Sequence, residues 1–227
     1  MSQLKAPEDR PSTQAFANPL DQLAAKYRTD KGTVRPSADL APKSYTIPYF
    51  RYLERIRNEP LALLEIGVKR GSSLRMWEAF LPNAAIFGID INPTCLDHAT
   101  PRSRVFIGDQ GDPNFLQSVV DAAGRKFDVI IDDGSHVMEH HQASLKYLWP
   151  HLRDGGWYAI EDLHTCMSKD YGGGHRSPSS TIERVLKPLL DTLSAPSIKP
   201  VPFVAGVSSV HVYRSIAFLF KGQPAQM

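Results

Sequence analysis

Leu63-Leu64-Glu65-Ile66-Gly67-Val68-Lys69-Arg70-Gly71-Ser72-Ser73 decides the fold. It begins inside an apolar run, Leu61–Ile66, that reads as a strand buried on both faces, and it ends where Ser72–Phe80 takes up helical spacing. Between the two, Gly67 lets the backbone approach a ligand closely, while Gly71 and Ser72 open the helix. The next strand, Ile86–Ile91, carries Asp90 at its end, roughly 20 residues on, where an acid can accept both hydroxyls of a ribose. This is the layout of a nucleoside-cofactor site. The spacing does not fit GxGxxG, however. A pyrophosphate would find fewer close backbone contacts, and Glu65 puts negative charge where phosphate would be repelled. A cationic or zwitterionic ligand fits better.

Outward from that turn, strand and helix patterns alternate. Strand Val105–Ile107, helix Asn114–Ala123, strand Phe127–Ile131, helix Glu139–Leu152 and strand Trp157–Ile160 follow in order. Such alternation predicts an α/β fold with a doubly wound parallel sheet. A helix over Thr181–Leu193 precedes two last strand patterns, Val201–Ala205 and Val210–Phe220, whose short Gly206-Val207-Ser208-Ser209 connection predicts an antiparallel hairpin at one end of the sheet. Two helices precede the sheet. Asn18 caps the first, Leu20–Arg28, with Pro19 at its opening position, and the second covers Tyr45–Ile56. Residues 1–18 read as a mobile arm, and residues 19–222 as a single domain, divided into a helical cap over 19–58 and a core over 59–222.

The chain has 227 residues, 42% of them hydrophobic, enough for one full core. Its formal charge of +2 comes from Lys and Arg scattered among acids, so no nucleic-acid surface is indicated. No apolar run approaches the roughly 20 residues that span a bilayer, and the polar start lacks the apolar core of a signal peptide. Only Cys95 and Cys166 are present, without a CxxC pair. These features predict a soluble cytoplasmic protein.

Acidic clusters end two of the strands: Asp132-Asp133-Gly134-Ser135-His136 and Ile160-Glu161-Asp162-Leu163. Ligand chemistry in open α/β sheets gathers at those carboxyl ends. Oxygen-rich donors favour a hard ion such as Mg²⁺, and Asp133, Glu161 and Asp162 would suffice to hold one. Asp132 reads as the structural member of its pair, and Asp162 could equally cap the turn toward Leu163. His140 and His141, on the next helix, read as exposed or as supporting partners. Asp112 reads as a helix N-cap before Pro113. Trp77 reads as core.

Glu65, Gly67 and Gly71 match the E-x-G-x-x-x-G pattern of class I S-adenosylmethionine (SAM) methyltransferases, which the chain resembles. Taken with Ser73-Leu74-Arg75-Met76-Trp77, Gly108-Asp109-Gln110, Asp132-Asp133-Gly134-Ser135-His136 and Glu161-Asp162-Leu163, it resembles more closely the metal-dependent bacterial sugar O-methyltransferases. That group includes macrolide deoxysugar enzymes of the mycinamicin type and the mycobacterial enzyme that caps methylmannose polysaccharides. The motifs occur in order from Asp30 to Gly174. The resemblance implies a Rossmann-like, seven-stranded sheet with an antiparallel last strand. It implies SAM and Mg²⁺ as cofactors, with Mg²⁺ on Asp133, Glu161 and Asp162 and with His136 as general base.

The cofactor set it implies is Glu65, Gly67, Gly71, Ser72, Asp90, Asp132, and Asp109 and Gln110 of the adenine loop, with Lys31 and Thr33 from the entry segment. The implied acceptor is a vicinal diol on a sugar of a small molecule or an oligosaccharide, such as methylmannose. A catechol or other phenolic diol is the alternative acceptor. An NAD-dependent oxidoreductase and a non-catalytic SAM-binding module are the other readings. The glycine-rich stretch over 164–180 could close as a lid or be a plain surface loop. Self-association through the N-terminal helices is expected.

Overall fold

β1 (Ala62–Ile66) is buried along its whole length because strands cover it on both edges and helices on both faces. In the computed structural model, which describes residues 16–222 apart from 39, 196, 199 and 200, β1 lies near the middle of a seven-stranded sheet. Most of the arm expected over 1–18 falls outside the described residues. The other strands are β2 (Ala85–Asp90), β3 (Ser103–Ile107), β4 (Phe127–Asp132), β5 (Leu152–Ile160), β6 (Val207–Tyr213) and β7 (Ile216–Lys221). Their order is β3-β2-β1-β4-β5-β7-β6, parallel except that β7 runs antiparallel to both β5 and β6.

Alternation along the strands sends neighbouring residues to opposite faces. Leu64, Ile66, Ile130 and Tyr158 face α4 (Pro113–Ala123) and α5 (Met138–Leu148). Leu63, Val129, Ile131 and Trp157 face α1 (Pro19–Tyr27), α2 (Thr46–Leu53) and α3 (Ser72–Phe80). Trp77 is fully buried on that second face, edge-on to Tyr49 at 5.1 Å. The caps of α1 and α4 form as expected: Asn18 accepts from Asp21 N, and Asp112 accepts from Asn114 N.

Three boundaries differ from the sequence reading. Val201–Ala205 is not a strand; it forms turns that bury Val201 and Val204. The apolar run Val210–Phe220 is not one strand either, because the hairpin turn falls inside it at Arg214-Ser215, with Ser215 at φ 65. Residues 207–209 of the expected connection therefore become the start of β6. α5 stops at Leu148, where Pro150 ends the regular helix in a short 3₁₀ turn, and β5 begins at Leu152, five residues before the expected Trp157. A last helix, α6 (Lys187–Ser194), continues a π-helical turn over Ile182–Leu186. Cys95 and Cys166 are free and buried. No helix among the described residues is long and apolar enough to cross a membrane.

The N-terminal helices are locked in place by Asp21, which is fully buried. Its carboxylate accepts from Ala17 N at 3.1 Å, Thr33 N at 2.7 Å and Thr46 Oγ1 at 2.9 Å, and also from the Thr33 hydroxyl. Burial alone would raise its pKa, but these hydrogen bonds outweigh it and hold the group below the usual carboxylate range. Asp21→Asn turns an amide toward those donors and should cost about 2–3 kcal/mol in urea unfolding. The folded pKa lies below the unfolded one, so the advantage of Asp21 is complete above the unfolded value near 4 and fades as pH falls through the folded value. A stability gap between the proteins that stays constant down to the acid transition would rule this account out.

Candidate active site

The site is built where β1, β4 and β5 end side by side. Asp133 N bonds to Ile66 O at 3.0 Å and Glu161 N to Asp132 O at 3.0 Å, which sets the two acid clusters next to the glycine turn. Gly67 has φ +96, and a Cβ there would lie 2.1 Å from the Asp133 carbonyl oxygen. The glycine is thus demanded by the approach of β4 to the turn as well as by any ligand. His136 and Asp162 both take left-handed backbone, φ 59 and 54, which turns their side chains back over the strand ends.

One ligand atom each from Asp133, His136 and Asp162 lies within 4.8 Å of the others. His136 Nε2 is 3.4 Å from Asp162 Oδ2 and 4.0 Å from Asp133 Oδ1, while its buried Nδ1 has no partner. Glu161 is fully buried just behind; its Oε1 accepts from Lys31 Nζ at 2.7 Å and Tyr49 OH at 2.6 Å, leaving Oε2 unpartnered. Lys31 Nζ also reaches Asp133 Oδ2 at 2.5 Å and Glu65 Oε1 at 3.5 Å. Lys43 Nζ lies 2.7 Å from Asp162 Oδ2 and 3.2 Å from Asp30 Oδ2, and Tyr45 OH donates to Asp162 Oδ1 at 2.8 Å.

The electrostatics follow from this crowding. Burial pulls the pKa of Lys31 down, but Asp133, Glu161 and Glu65 overrule it and hold the ammonium well above its ordinary value. Burial and the Asp133 charge push Glu161 up against the pull of both lysines. Asp162 also feels burial, yet Lys43, Tyr45 and His136 keep its carboxyl below the usual range. Closely packed carboxylates that hold two ammonium groups mark a place that favours positive charge, and carboxylate oxygens suit a hard divalent ion. The donor set fits such an ion.

A cavity of about 350 Å³ opens beside the cluster, between Tyr27–Lys31 and the turn from Gly67 to Ser73. Of the expected cofactor residues, Lys31, Gly67 and Ser72 line it, and so does Asp133. Glu65 is fully buried and accepts from Ser73 Oγ at 2.7 Å. Gly71, at φ +64, opens α3 against His98. Asp90 folds back on the turn, accepting from Val68 N, Lys69 N and Asn92 N at 2.8–2.9 Å. Asp109 is exposed and accepts from Gly111 N at 2.8 Å.

Three expected cofactor residues turn elsewhere. Asp132 has no exposure and accepts from Ser144 Oγ, Tyr158 OH and Gln110 Nε2, because strand alternation points it under α5 while Asp133 lies past the strand end. Gln110 is buried as a clamp, donating to Asp132 and accepting from Ser135 N at 2.8 Å. Thr33 gives both its amide and its hydroxyl to Asp21. His141, read as exposed or supporting, is fully buried; its Nδ1 is 3.4 Å from Thr181 Oγ1 and its ring centroid 6.2 Å from that of His136. The stretch after Asp162 forms two 3₁₀ turns, Leu163–Met167 and Lys169–Tyr171, that bury Thr165 and Cys166 and bring the Tyr171 ring 6.2 Å from that of His136.

Sequence reasoning missed Lys43, Tyr45 and Tyr49. Tyr45 and Tyr49 stand four apart, on one face at the start of α2, and two tyrosines on a buried face each need a hydroxyl partner. That was the available signal. Nothing local marks Lys43.

Residues 64–163 match the family model described as "Methyltransferase domain". The chain is 36% identical over 91% of its length to the 8-demethyl-8-(2-methoxy-alpha-L-rhamnosyl)-tetracenomycin-C 3'-O-methyltransferase of Streptomyces olivaceus, of which it covers 55%. It is 36% identical over 90% of its length to the mycinamicin VI 2''-O-methyltransferase of Micromonospora griseorubida, of which it covers 53%. It superimposes with a TM-score of 0.77 on the MycE methyltransferase in complex with Mg, SAH and mycinamycin VI, at 32% identity over 90% of this chain and 54% of that one. The chain thus spans about half the length of the curated relatives it matches. Its sheet order, the matched domain and these likenesses show that the chain has the class I methyltransferase fold and is similar, over about half their length, to bacterial sugar O-methyltransferases of the mycinamicin type.

Proposed function

We propose that the chain is a SAM-dependent, divalent-cation-assisted O-methyltransferase that methylates one hydroxyl of a vicinal diol on the sugar of a glycosylated small molecule. The observation that carries this reading is the convergence of Asp133, His136 and Asp162 within 4.8 Å beside a cavity lined by Gly67 and Ser72. Asp133 and Asp162 would hold the ion, with Glu161, whose Oε2 is unpartnered, close behind them. A bound Mg²⁺ supplies Lewis-acid polarisation of the acceptor hydroxyl. His136 takes the hydroxyl proton on Nε2, the nitrogen that faces the acids. Glu65, buried beneath the turn, supplies negative charge for the cationic end of the cofactor, and Asp90 accepts from the ribose.

The protein contributes mostly alignment, since the transferred methyl is already activated by the sulfonium it leaves. Transfer of labelled methyl from SAM, with Mg²⁺ or with excess chelator, against diol sugars, methylmannose oligomers and catechols tests the reading. Turnover of a catechol but no sugar would move the acceptor class. Tight NADH binding without SAM binding would overturn the enzyme class.

For the cofactor, Asp90→Ala should weaken S-adenosylhomocysteine (SAH) binding roughly 10- to 100-fold in calorimetry, because a charged acceptor is lost both to the ribose and to the Val68–Lys69 turn. Unchanged affinity would place the ribose elsewhere.

A further inference from the structure

Lys31 is 1% exposed, yet it lines the cavity and touches the acid cluster at once. An ammonium has three donors. Two of them stand on Asp133 Oδ2 at 2.5 Å and Glu161 Oε1 at 2.7 Å; Glu65 Oε1, at 3.5 Å, is beyond good hydrogen-bond reach. A divalent ion on the cluster would draw on the same Asp133 and Glu161 carboxylates and would repel the ammonium. Lys43 cannot take over the inner end of the cavity, since its Nζ is committed to Asp162 and Asp30 and lies 3.9 Å from Asp133. Of the other cations that line the cavity, Arg75 donates to Arg70 O and Arg28 to Pro36 O, and Lys69 and Arg70 stand on the exposed part of the turn after Gly67. The lysine stem is flexible enough to swing its charge a few ångströms.

We propose that Lys31 couples the two halves of the site: with the acid cluster unfilled it stands on Asp133 and Glu161, and when a divalent ion takes those oxygens it turns into the cavity and pairs with the carboxylate of the cofactor's amino-acid end. The inference rests on the cofactor and cation reading above. Among the described residues, five carboxylates, Asp30, Glu65, Asp133, Glu161 and Asp162, meet two ammonium groups, Lys31 and Lys43, with the His136 imidazole beside Asp133 and Asp162, so the cluster can release one ammonium once a divalent ion arrives. Lys31 is on this account a positioning residue. Its effect appears as linkage between two ligands, which a purely structural lysine would not produce.

Calorimetry on the whole chain tests it with two probes, SAH and 5′-methylthioadenosine, which shares the nucleoside and the sulfur but has no carboxylate. Saturating Mg²⁺ should tighten SAH binding about tenfold, within the usual range of coupling between sites, and should leave methylthioadenosine binding unchanged. By reciprocity, SAH should tighten Mg²⁺ binding by the same factor. Lys31→Met should abolish the effect and Lys31→Arg should retain part of it. The contrast between the two probes on the wild-type chain decides the matter even if Lys31→Met fails to fold. Equal response of both probes to Mg²⁺, or an undiminished Mg²⁺ effect in Lys31→Met, overturns the coupling role. Failure of the wild-type chain to bind SAH at all overturns the cofactor reading and the coupling with it.

Discussion

Asp162→Asn should lower methyl-transfer kcat by on the order of 10²–10³-fold, the scale seen when one electrostatic contact to the developing charge is removed. The amide keeps the size of the side chain, and Asn tolerates the left-handed backbone that Asp162 occupies at φ 54. It can still accept from Tyr45 on one oxygen, but it no longer offers charge to an ion, to Lys43 or to His136. Mn²⁺ affinity should fall at least tenfold, because even partners one shell removed from an ion are worth 10- to 100-fold. SAH binding should change little, since Asp162 is absent from the cavity wall. Excess chelator should reproduce the loss in the wild-type chain and Mg²⁺ should reverse it. Full turnover in chelator would end the cation-assisted mechanism.

The acids of this site were legible because a buried parallel strand is an apolar run, and charge where such a run stops has to face a ligand or a counter-ion. Asp133, Glu161 and Asp162 announce themselves in that way. The lysines opposite them do not: Lys31 meets Asp133 across 102 positions and Glu161 across 130, and nothing in Thr29-Asp30-Lys31-Gly32 distinguishes an inward ammonium from a surface one. Asp132 was legible in principle. Counting the pleat from Ile130 puts it on the face of Tyr158 and α5, away from the cofactor. The β6–β7 turn was hidden for a different reason, since Arg214-Ser215 lacks the Gly or Asn that usually takes a left-handed turn position. The start of β5 was hidden because Arg153 and Asp154 are exposed and interrupt the apolar pattern, with three extra residues bulging between the Leu152 and Trp157 pairings.

His136→Ala should lower kcat by on the order of 10²–10⁴-fold while leaving SAH and Mn²⁺ affinity within a few-fold of wild type. The separation follows from position. His136 does not line the cavity, and its Nε2 stands 3.4 Å from Asp162 Oδ2 and 4.0 Å from Asp133 Oδ1, beside the acids that would hold the ion. A glycine at 136 accepts φ 59 without strain and leaves a gap of imidazole shape, so His136→Gly should regain part of its rate when free imidazole is added. That rescue separates a proton acceptor from a scaffold residue, because added imidazole cannot repair a misplaced turn. Near-wild-type turnover in His136→Ala would mean that the proton leaves by another route. Loss of SAH and Mn²⁺ binding together with turnover, without rescue, would make His136 a residue that shapes the Asp133–Val137 turn and not the base.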